Sequence, residues 1–99
     1  DNSQYTGWQT FYKKSDDSGK RLAVDIQEEL RNSIQEENKR TAHEISNIYL
    51  VDHVEIPITI VECGFLSNPQ EANKLLTDEY QNKVAWGIFS GIQLYFNEV

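Results

Sequence analysis

Apolar residues recur every four positions within residues 20–37, which is the most regular pattern in the chain. This spacing predicts an amphipathic helix, and Asp17 or Ser18 is a suitable residue to cap its start. The apolar stripe consists of Leu22, Ile26, Leu30 and Ile34, with Ala23 beside them. We therefore expect one face of this helix to lie in the core of the protein.

A second helical period begins near Thr77 and continues towards the end of the chain. Gly87 and Gly91 lie four residues apart within it, and each destabilises a helix by roughly 1 kcal/mol relative to alanine. Close packing of another element against both glycines would explain why they are there. The apolar residues of this period are Tyr80, Val84, Ile88, Ile92 and Tyr95, with Ala85, Phe89 and Phe96 alongside.

A short helix is predicted just before this long one. Asn68 can cap its start, Pro69 suits the first helical position, and Glu71 lies where a capping-box residue reaches back to the cap. The pattern ends near Leu76.

Runs of β-branched and aromatic residues predict strands at residues 7–12 and 58–61, and a strand or half-strand at 48–51. The run at 58–61 follows Pro57 and is continuously apolar or β-branched, which suits a strand covered on both faces, as in a parallel sheet. The polar residues 38–47 are expected to form a loop. The order of elements predicts an α/β fold with a small, mainly parallel or mixed sheet and helices on its faces.

The aromatic residues of the last predicted helix have the spacing of a buried face, so we expect Trp86 and its aromatic neighbours in the core. Trp8 differs because it lies on a predicted strand that could form the edge of the sheet. A core position is expected for Trp8 as well, with a platform for a sugar ring as the alternative.

The length and charge of the chain limit the kinds of partner that it could bind. The chain has 99 residues, enough for one small domain, and a formal net charge of −7. That charge argues against binding to nucleic acid or to an anionic membrane surface, since both require clustered lysine and arginine. No apolar run approaches the length of a membrane span. The polar opening, Asp1 to Gln4, suits a segment of a longer protein.

Glu62 is the first candidate for chemistry because it follows directly on the predicted strand 58–61. Functional sites of α/β folds gather at the carboxyl ends of strands. A carboxylate is costly to bury without a partner or a role, and burial favours the neutral form that a general acid uses. A glutamate bonded to loop amides is the alternative, and position alone leaves both interpretations open.

A longer motif surrounds Glu62. Residues 61–69 read Val-Glu-Cys-Gly-Phe-Leu-Ser-Asn-Pro and are followed by Glu71-Ala72 and Leu75-Leu76. This motif resembles the signature of the zinc-dependent N-acetylmuramoyl-L-alanine amidases of bacterial cell walls, of the amidase-3 type. It is most similar to their sporulation and germination branch, which acts on spore cortex peptidoglycan.

The resemblance covers nearly the whole chain. Residues 7–12 resemble the strand that follows the family's last zinc ligand, and residues 22–30 resemble its amphipathic helix. The sequence Asn38-Lys39-Arg40 resembles its basic turn, and residues 85–92 resemble its final helix. The resemblance implies that residues 1–99 are the C-terminal part of a single amidase domain with a phosphorylase/hydrolase-like fold.

The resemblance also implies a reaction, the hydrolysis of the amide bond between N-acetylmuramic acid and L-alanine in peptidoglycan. The family's zinc is held by two histidines and a glutamate, and a second glutamate, which corresponds to Glu62, transfers protons. The zinc ligands lie upstream in the family and are absent from this chain. We therefore expect zinc in the intact enzyme, but no bound zinc and no activity in this segment alone.

Arg40 matches a basic position near the family's active site. It could hold substrate carboxylates or could bond the backbone of its own turn, and both interpretations stay open. The resemblance also implies a secreted or cell-envelope location, with the spore cortex as one compartment. The alternative function is a non-catalytic module that binds the cell wall or a partner and retains half of an amidase fold. Self-association of the isolated segment is expected from the apolar faces that a half-domain exposes.

The histidines and the cysteine are two further candidates for chemistry. His43 and His53 could form an unrelated metal site with Glu44 or Asp52, but neighbouring residues do not share a helix face, so surface histidines are favoured. Cys63 could be a nucleophile if a histidine base lay beside it. A small core residue at the end of a strand is the favoured interpretation, and a single cysteine forms no internal disulfide.

Overall fold

The computed structural model describes residues 6–98. These residues form a three-stranded sheet and four helices, which confirms the predicted α/β class. In chain order the elements are β1 (Gln9–Lys13), α1 (Asp17–Ile34), β2 (His43–Ile45), α2 (Tyr49–His53), β3 (Thr59–Glu62), α3 (Pro69–Leu75) and α4 (Asp78–Glu98).

The sheet is mixed, with the strand order β2-β1-β3. β1 runs parallel to β2, with Phe11 opposite His43, and antiparallel to β3, with Gln9 opposite Glu62. The expectation that the apolar run 58–61 belongs to a parallel strand is therefore wrong for its pairing with β1. An unbroken β-branched run indicates that both faces of a strand are covered, but it carries no information about the direction of the neighbouring strand.

The segment between α1 and β3 differs from its prediction. The polar residues 38–47, expected to be a loop, contain β2, and the apolar run at 48–51, expected to be a strand, lies largely in α2. β2 is stabilised by backbone pairing with β1, which needs no apolar pattern. A short apolar run suits either a strand or one helical turn, and here Val51 alone among the α2 residues is buried.

Helix α1 begins one residue after its cap, Asp16, whose carboxylate accepts a hydrogen bond from the Gly19 N–H at 2.8 Å. The prediction of Asp17 or Ser18 as the cap is therefore wrong by one or two residues. Asp16 also accepts a hydrogen bond from the Ile58 N–H at 3.1 Å, which ties the start of α1 to the approach of β3. The helix ends at Ile34, because Gln35 adopts a left-handed conformation with φ of 59°.

Helices α1 and α4 pack closely along their length. A methyl group on Gly87 would lie 2.7 Å from Leu30 Cδ2, and one on Gly91 would lie 2.6 Å from Ile26 Cα. The predicted close approach at both glycines is confirmed. The core beside this contact consists of Trp8, Ile26, Leu30, Ile34, Tyr80 and Val84.

The aromatic residues divide between core and surface. Trp8 is 1% exposed and directly precedes β1, which is the central strand of the three rather than an edge strand. The expectation that Trp86 and its aromatic neighbours are buried is wrong for Trp86, Phe89 and Phe96, since Trp86 is 63% exposed and Phe96 is 66% exposed. α4 is apolar on more than one face, and only one face meets α1. Among residues 6–98 no helix has the length and apolar character that crossing a membrane requires.

Candidate functional site

Glu62 is the last residue of β3, as predicted, but it is exposed rather than buried. β3 pairs with β1 and, within residues 6–98, with no other strand, so its second edge is uncovered. The three preceding strand residues are half-buried, and only Glu62, at the end of the strand, is exposed. A carboxylate in this position is accessible to a water molecule or a substrate.

The loop that follows Glu62 is held by α3 and α4. The Tyr80 hydroxyl donates a hydrogen bond to the Cys63 carbonyl at 2.7 Å, and the Asn68 N–H donates to the Phe65 carbonyl at 3.0 Å. The Asn68 side chain accepts a hydrogen bond from the Gln70 N–H at 2.9 Å and so caps α3, as predicted. The backbone after the candidate glutamate is therefore fixed by contacts with two helices.

Arg40 lies beside this loop. Its guanidinium is 5.0 Å from the centre of the Phe65 ring, a cation–π contact that brings Arg40 to the segment following Glu62. The Arg40 N–H donates a hydrogen bond to Asn38 Oδ1 at 2.8 Å. Two distant parts of the sequence, the basic turn and the Glu62 motif, thus meet in the structure.

Arg31 holds the basic turn from α1 and was not singled out by the sequence. Its Nε donates to the Asn38 carbonyl at 2.9 Å, and its Nη2 donates to the Arg40 carbonyl at 2.6 Å. An arginine on a charged helix carries no sequence signal for such a role, because the carbonyls that it binds belong to a different element.

Glu71 has a different role from the one predicted. Its carboxylate does not cap the Asn68 N–H, which donates to Phe65 instead. Glu71 is 2% exposed, accepts a hydrogen bond from the Gly7 N–H at 2.7 Å, and forms an ion pair with Lys74 at 3.3 Å. Its position three residues after the cap is a signal for a helix start, but not for this long-range contact.

Burial and neighbouring charges shift the pKa values of three groups near the loop. Burial raises the pKa of the Cys63 thiol, which disfavours the nucleophilic thiolate, and Cys63 packs against the core as expected of a small core residue. The pKa of Tyr80 is raised by burial and by the negative charge of Glu71. Burial alone would lower the pKa of Lys74, but the carboxylates of Glu36 and Glu71 outweigh it and raise that pKa.

The histidines do not form a metal site with each other. His43 is exposed on β2, and the exposed His53 ring stacks on Tyr49 with its Nδ1 2.8 Å from the Tyr49 carbonyl oxygen. Within residues 6–98 no group of three histidine, cysteine, aspartate or glutamate side chains is close enough to hold a metal ion. The described part of the chain therefore does not fit the zinc that the resemblance implies.

Comparison with known proteins identifies one family. Residues 1–94 match the Amidase_3 family model, described as N-acetylmuramoyl-L-alanine amidase. The chain is 42% identical over 95 residues to the germination-specific N-acetylmuramoyl-L-alanine amidase of Bacillus subtilis strain 168, covering 96% of this chain and 40% of that protein. It thus spans less than half the length of that curated relative.

Solved structures agree with the sequence match. The CwlD amidase from Clostridioides difficile, solved in complex with the GerS lipoprotein, has a TM-score of 0.93 and 42% identity, over 98% of this chain and 49% of that one. The catalytic domain of CwlV, an amidase from Bacillus (Paenibacillus) polymyxa var. colistinus, has a TM-score of 0.80 and 26% identity, over 96% of this chain and 51% of that one.

Proposed function

Since the chain belongs to the N-acetylmuramoyl-L-alanine amidase family, we propose that the protein carrying it hydrolyses the amide bond between N-acetylmuramic acid and L-alanine in bacterial peptidoglycan. The observation that carries the proposal is the family match over residues 1–94, which includes the whole Glu62 motif. The activity is proposed for the whole protein, because the chain spans about half of its relatives.

Glu62 is proposed as the proton-transfer residue. A water molecule adds to the carbonyl carbon of the amide, and the Glu62 carboxylate takes a proton from that water. When the carbon–nitrogen bond breaks, the same carboxyl group delivers the proton to the leaving nitrogen. The products are the carboxylate of the muramic acid lactyl group and the free amine of L-alanine. The exposed position of Glu62 at the end of β3 supports this role, since both water and substrate can reach it.

Arg40 is proposed to bind a carboxylate of the stem peptide. Its contact with Phe65 holds the guanidinium beside the Glu62 loop, and an arginine suits planar recognition of a carboxylate. Its own backbone is bonded to Asn38 and Arg31, so the turn does not depend on the guanidinium alone. Replacing Arg40 should therefore affect substrate binding more than the fold.

Zinc is proposed for the intact enzyme with ligands outside the described residues. Residues 6–98 offer no cluster of three ligating side chains, and His43 and His53 lie on separate elements. A catalytic zinc takes three protein ligands as a rule, so the histidines of this chain are not assigned to it.

A cell-envelope location, including the spore cortex, is proposed because the Bacillus subtilis relative is named germination-specific. The Clostridioides difficile relative was solved with a lipoprotein, which supports a protein partner for the protein that carries this chain. Peptidoglycan is the proposed substrate whether or not such a partner is bound.

The proposal is tested with the full protein and its Glu62→Gln variant. Glutamine keeps the size of the side chain but cannot accept the proton, so kcat for amide hydrolysis of a muropeptide should fall by about 100-fold or more. The melting temperature and bound zinc should stay the same. Glu55→Gln, another exposed glutamate outside the motif, is the matched control and should keep parental kcat.

Near-parental hydrolysis by Glu62→Gln would remove Glu62 from the mechanism. Loss of zinc together with activity would make it a metal ligand. If the parental protein bound peptidoglycan without hydrolysing it, the alternative of a non-catalytic binding module would replace the enzyme proposal.

A further inference from the structure

Two glycines flank the end of the β1–β3 pair where Glu62 lies. Gln9 is opposite Glu62, and counting two residues outward along each strand reaches Gly7 on one side and Gly64 on the other. At this end β1 and β3 are no longer paired by the sheet. Some other contact must hold these two segments together if Glu62 is to keep a defined position.

The Glu71 carboxylate bonds Gly7 and lies beside Gly64. Its Oε1 accepts a hydrogen bond from the Gly7 N–H at 2.7 Å. The same oxygen lies 3.2 Å from the position that a Cβ atom on Gly64 would occupy, so Glu71 fills the space beside the Gly64 backbone. One buried oxygen is therefore bonded to the chain before β1 and lies next to the chain after β3.

The surroundings keep this carboxylate in place. Glu71 is 2% exposed, and its second oxygen is paired with Lys74 at 3.3 Å, so a buried charge has both a hydrogen bond and a counter-ion. Gly7 has φ of 93°, a conformation that favours glycine and points its N–H at Glu71. The hydrogen bond between Gly7 and Glu71 therefore depends on the conformation of Gly7 and on the charge of Lys74.

We infer that Glu71 is a positioning residue for Glu62, because its buried carboxylate clamps the open end of the β1–β3 pair. The inference rests on the proposed role of Glu62. Glu71 does not touch the reacting atoms itself. It limits the movement of the strand end from which Glu62 projects, and a displacement of about 1 Å at a reacting group can lower a rate about 100-fold.

The test uses the full protein with Glu71→Ala, Glu71→Gln and Glu36→Gln. Glu71→Ala should lower kcat for muropeptide hydrolysis by about 10- to 100-fold while KM changes by less than about 3-fold. Glu71→Gln keeps an oxygen that accepts from Gly7 and should stay within about 3-fold of the parental kcat. Glu36→Gln is the matched control, since Glu36 binds the same Lys74 at 2.6 Å but is remote from the strand pair, and its kcat should be parental.

A second variant covers the case in which Glu71→Ala does not fold. Glu71→Asp keeps the charge beside Lys74 but withdraws the carboxylate from Gly7 by one methylene group. It should show the same loss of kcat with the fold retained. A folded Glu71→Ala or Glu71→Asp protein with parental kcat would overturn the inference, and so would a Glu71→Gln protein as impaired as Glu71→Ala.

Amide hydrogen exchange separates this inference from the proposed function. In parental protein the Gly7 N–H should be protected, and Glu71→Ala should speed exchange at Gly7, Glu62 and Gly64, whereas Glu36→Gln should not. If the parental protein hydrolyses no amide, the proposed function fails, but faster exchange still supports the clamp. Unchanged exchange in Glu71→Ala would overturn the clamp whether or not the protein is an amidase.

Discussion

Asp25 places a carboxyl group in the contact between α1 and the end of α4. It is 8% exposed, and its Oδ2 is buried without a hydrogen-bond partner among the described residues. Burial, followed by the nearby carboxylate of Glu98 and its negative charge, raises the pKa of Asp25 to about 6, and Arg21 only partly opposes this. The folded protein therefore binds a proton at Asp25 more tightly than the unfolded chain does.

The free energy of unfolding therefore depends on pH. The stabilising contribution of protonated Asp25 is fully present below its ordinary pKa of 3.8 and is lost as pH rises through about 6. Asp25→Asn is neutral at every pH and carries no charge to repel Glu98. It should therefore raise the free energy of unfolding by about 1–3 kcal/mol at pH 7 and leave it nearly unchanged at pH 4.

Urea denaturation at a series of pH values measures this effect, with the exposed Glu55→Gln as the matched control. A stability difference between Asp25→Asn and parent that stayed constant from pH 4 to pH 7 would show that Asp25 does not titrate as described.

At the scale of elements, the α1–α4 pair depends on two small residues. Gly87 and Gly91 let the α4 backbone approach Leu30 and Ile26, and the closest contacts that an added methyl group would make include backbone atoms of α1. Backbone atoms cannot move aside as a flexible side chain can. The helices would have to separate, and the packing of the shared core would be lost with them.

Gly91→Ala should therefore destabilise the protein by about 1–3 kcal/mol, even though alanine is the better helix former. Its methyl group would lie 2.6 Å from Ile26 Cα. Gln93→Ala, at an exposed position of the same helix, is the control and should be neutral or slightly stabilising. Thermal unfolding of both variants gives the comparison. An increase in stability for Gly91→Ala would mean that α1 and α4 can separate without losing the packing of their shared core.

At the scale of the whole molecule, the outer face of α4 is apolar and uncovered in the described structure. Trp86, Phe89 and Phe96 are each more than half exposed. Within residues 6–98 the edge of β3 that faces away from β1 pairs with no strand, and such an edge can pair with a strand from another chain. Both features favour association of the chain as an isolated polypeptide.

The isolated 99-residue chain should self-associate, and Phe89→Ser should shift it towards monomer. Sedimentation velocity over a range of protein concentrations measures the change. Asn82→Ser, at an exposed polar position of α4, is the matched control and should associate like the parent. A parental chain that stayed monomeric at every concentration would identify it as a self-sufficient domain.

The isolated chain should also bind no zinc at a one-to-one ratio in the micromolar range. His43 is exposed on β2, and His53 is engaged by the Tyr49 carbonyl and ring, so neither belongs to a three-ligand site within residues 6–98. Calorimetric titration with zinc measures the affinity and the stoichiometry. Tight binding that disappeared in His43→Gln or His53→Gln would show a site formed by these histidines.

The sequence by itself determined the features that depend on neighbours along the chain. The periodic apolar stripes located α1 and α4, Asn68 and Pro69 located the start of α3, and the glycines of α4 indicated its close contact. These signals are local because a helix brings together residues three or four apart. The long motif around Glu62 also sufficed to identify the family, whereas the catalytic role of Glu62 and the binding role of Arg40 remain predictions.

The tertiary structure decided whatever depends on residues that are distant in sequence. The direction of β3, the exposure of Glu62 and the uncovered aromatic face of α4 follow from which elements pack together. Glu71 has the local pattern of a capping residue, yet its carboxylate binds Gly7, 64 positions away. Hydrogen bonds and burial at that separation are set by the assembled core, because the same local sequence could make either contact.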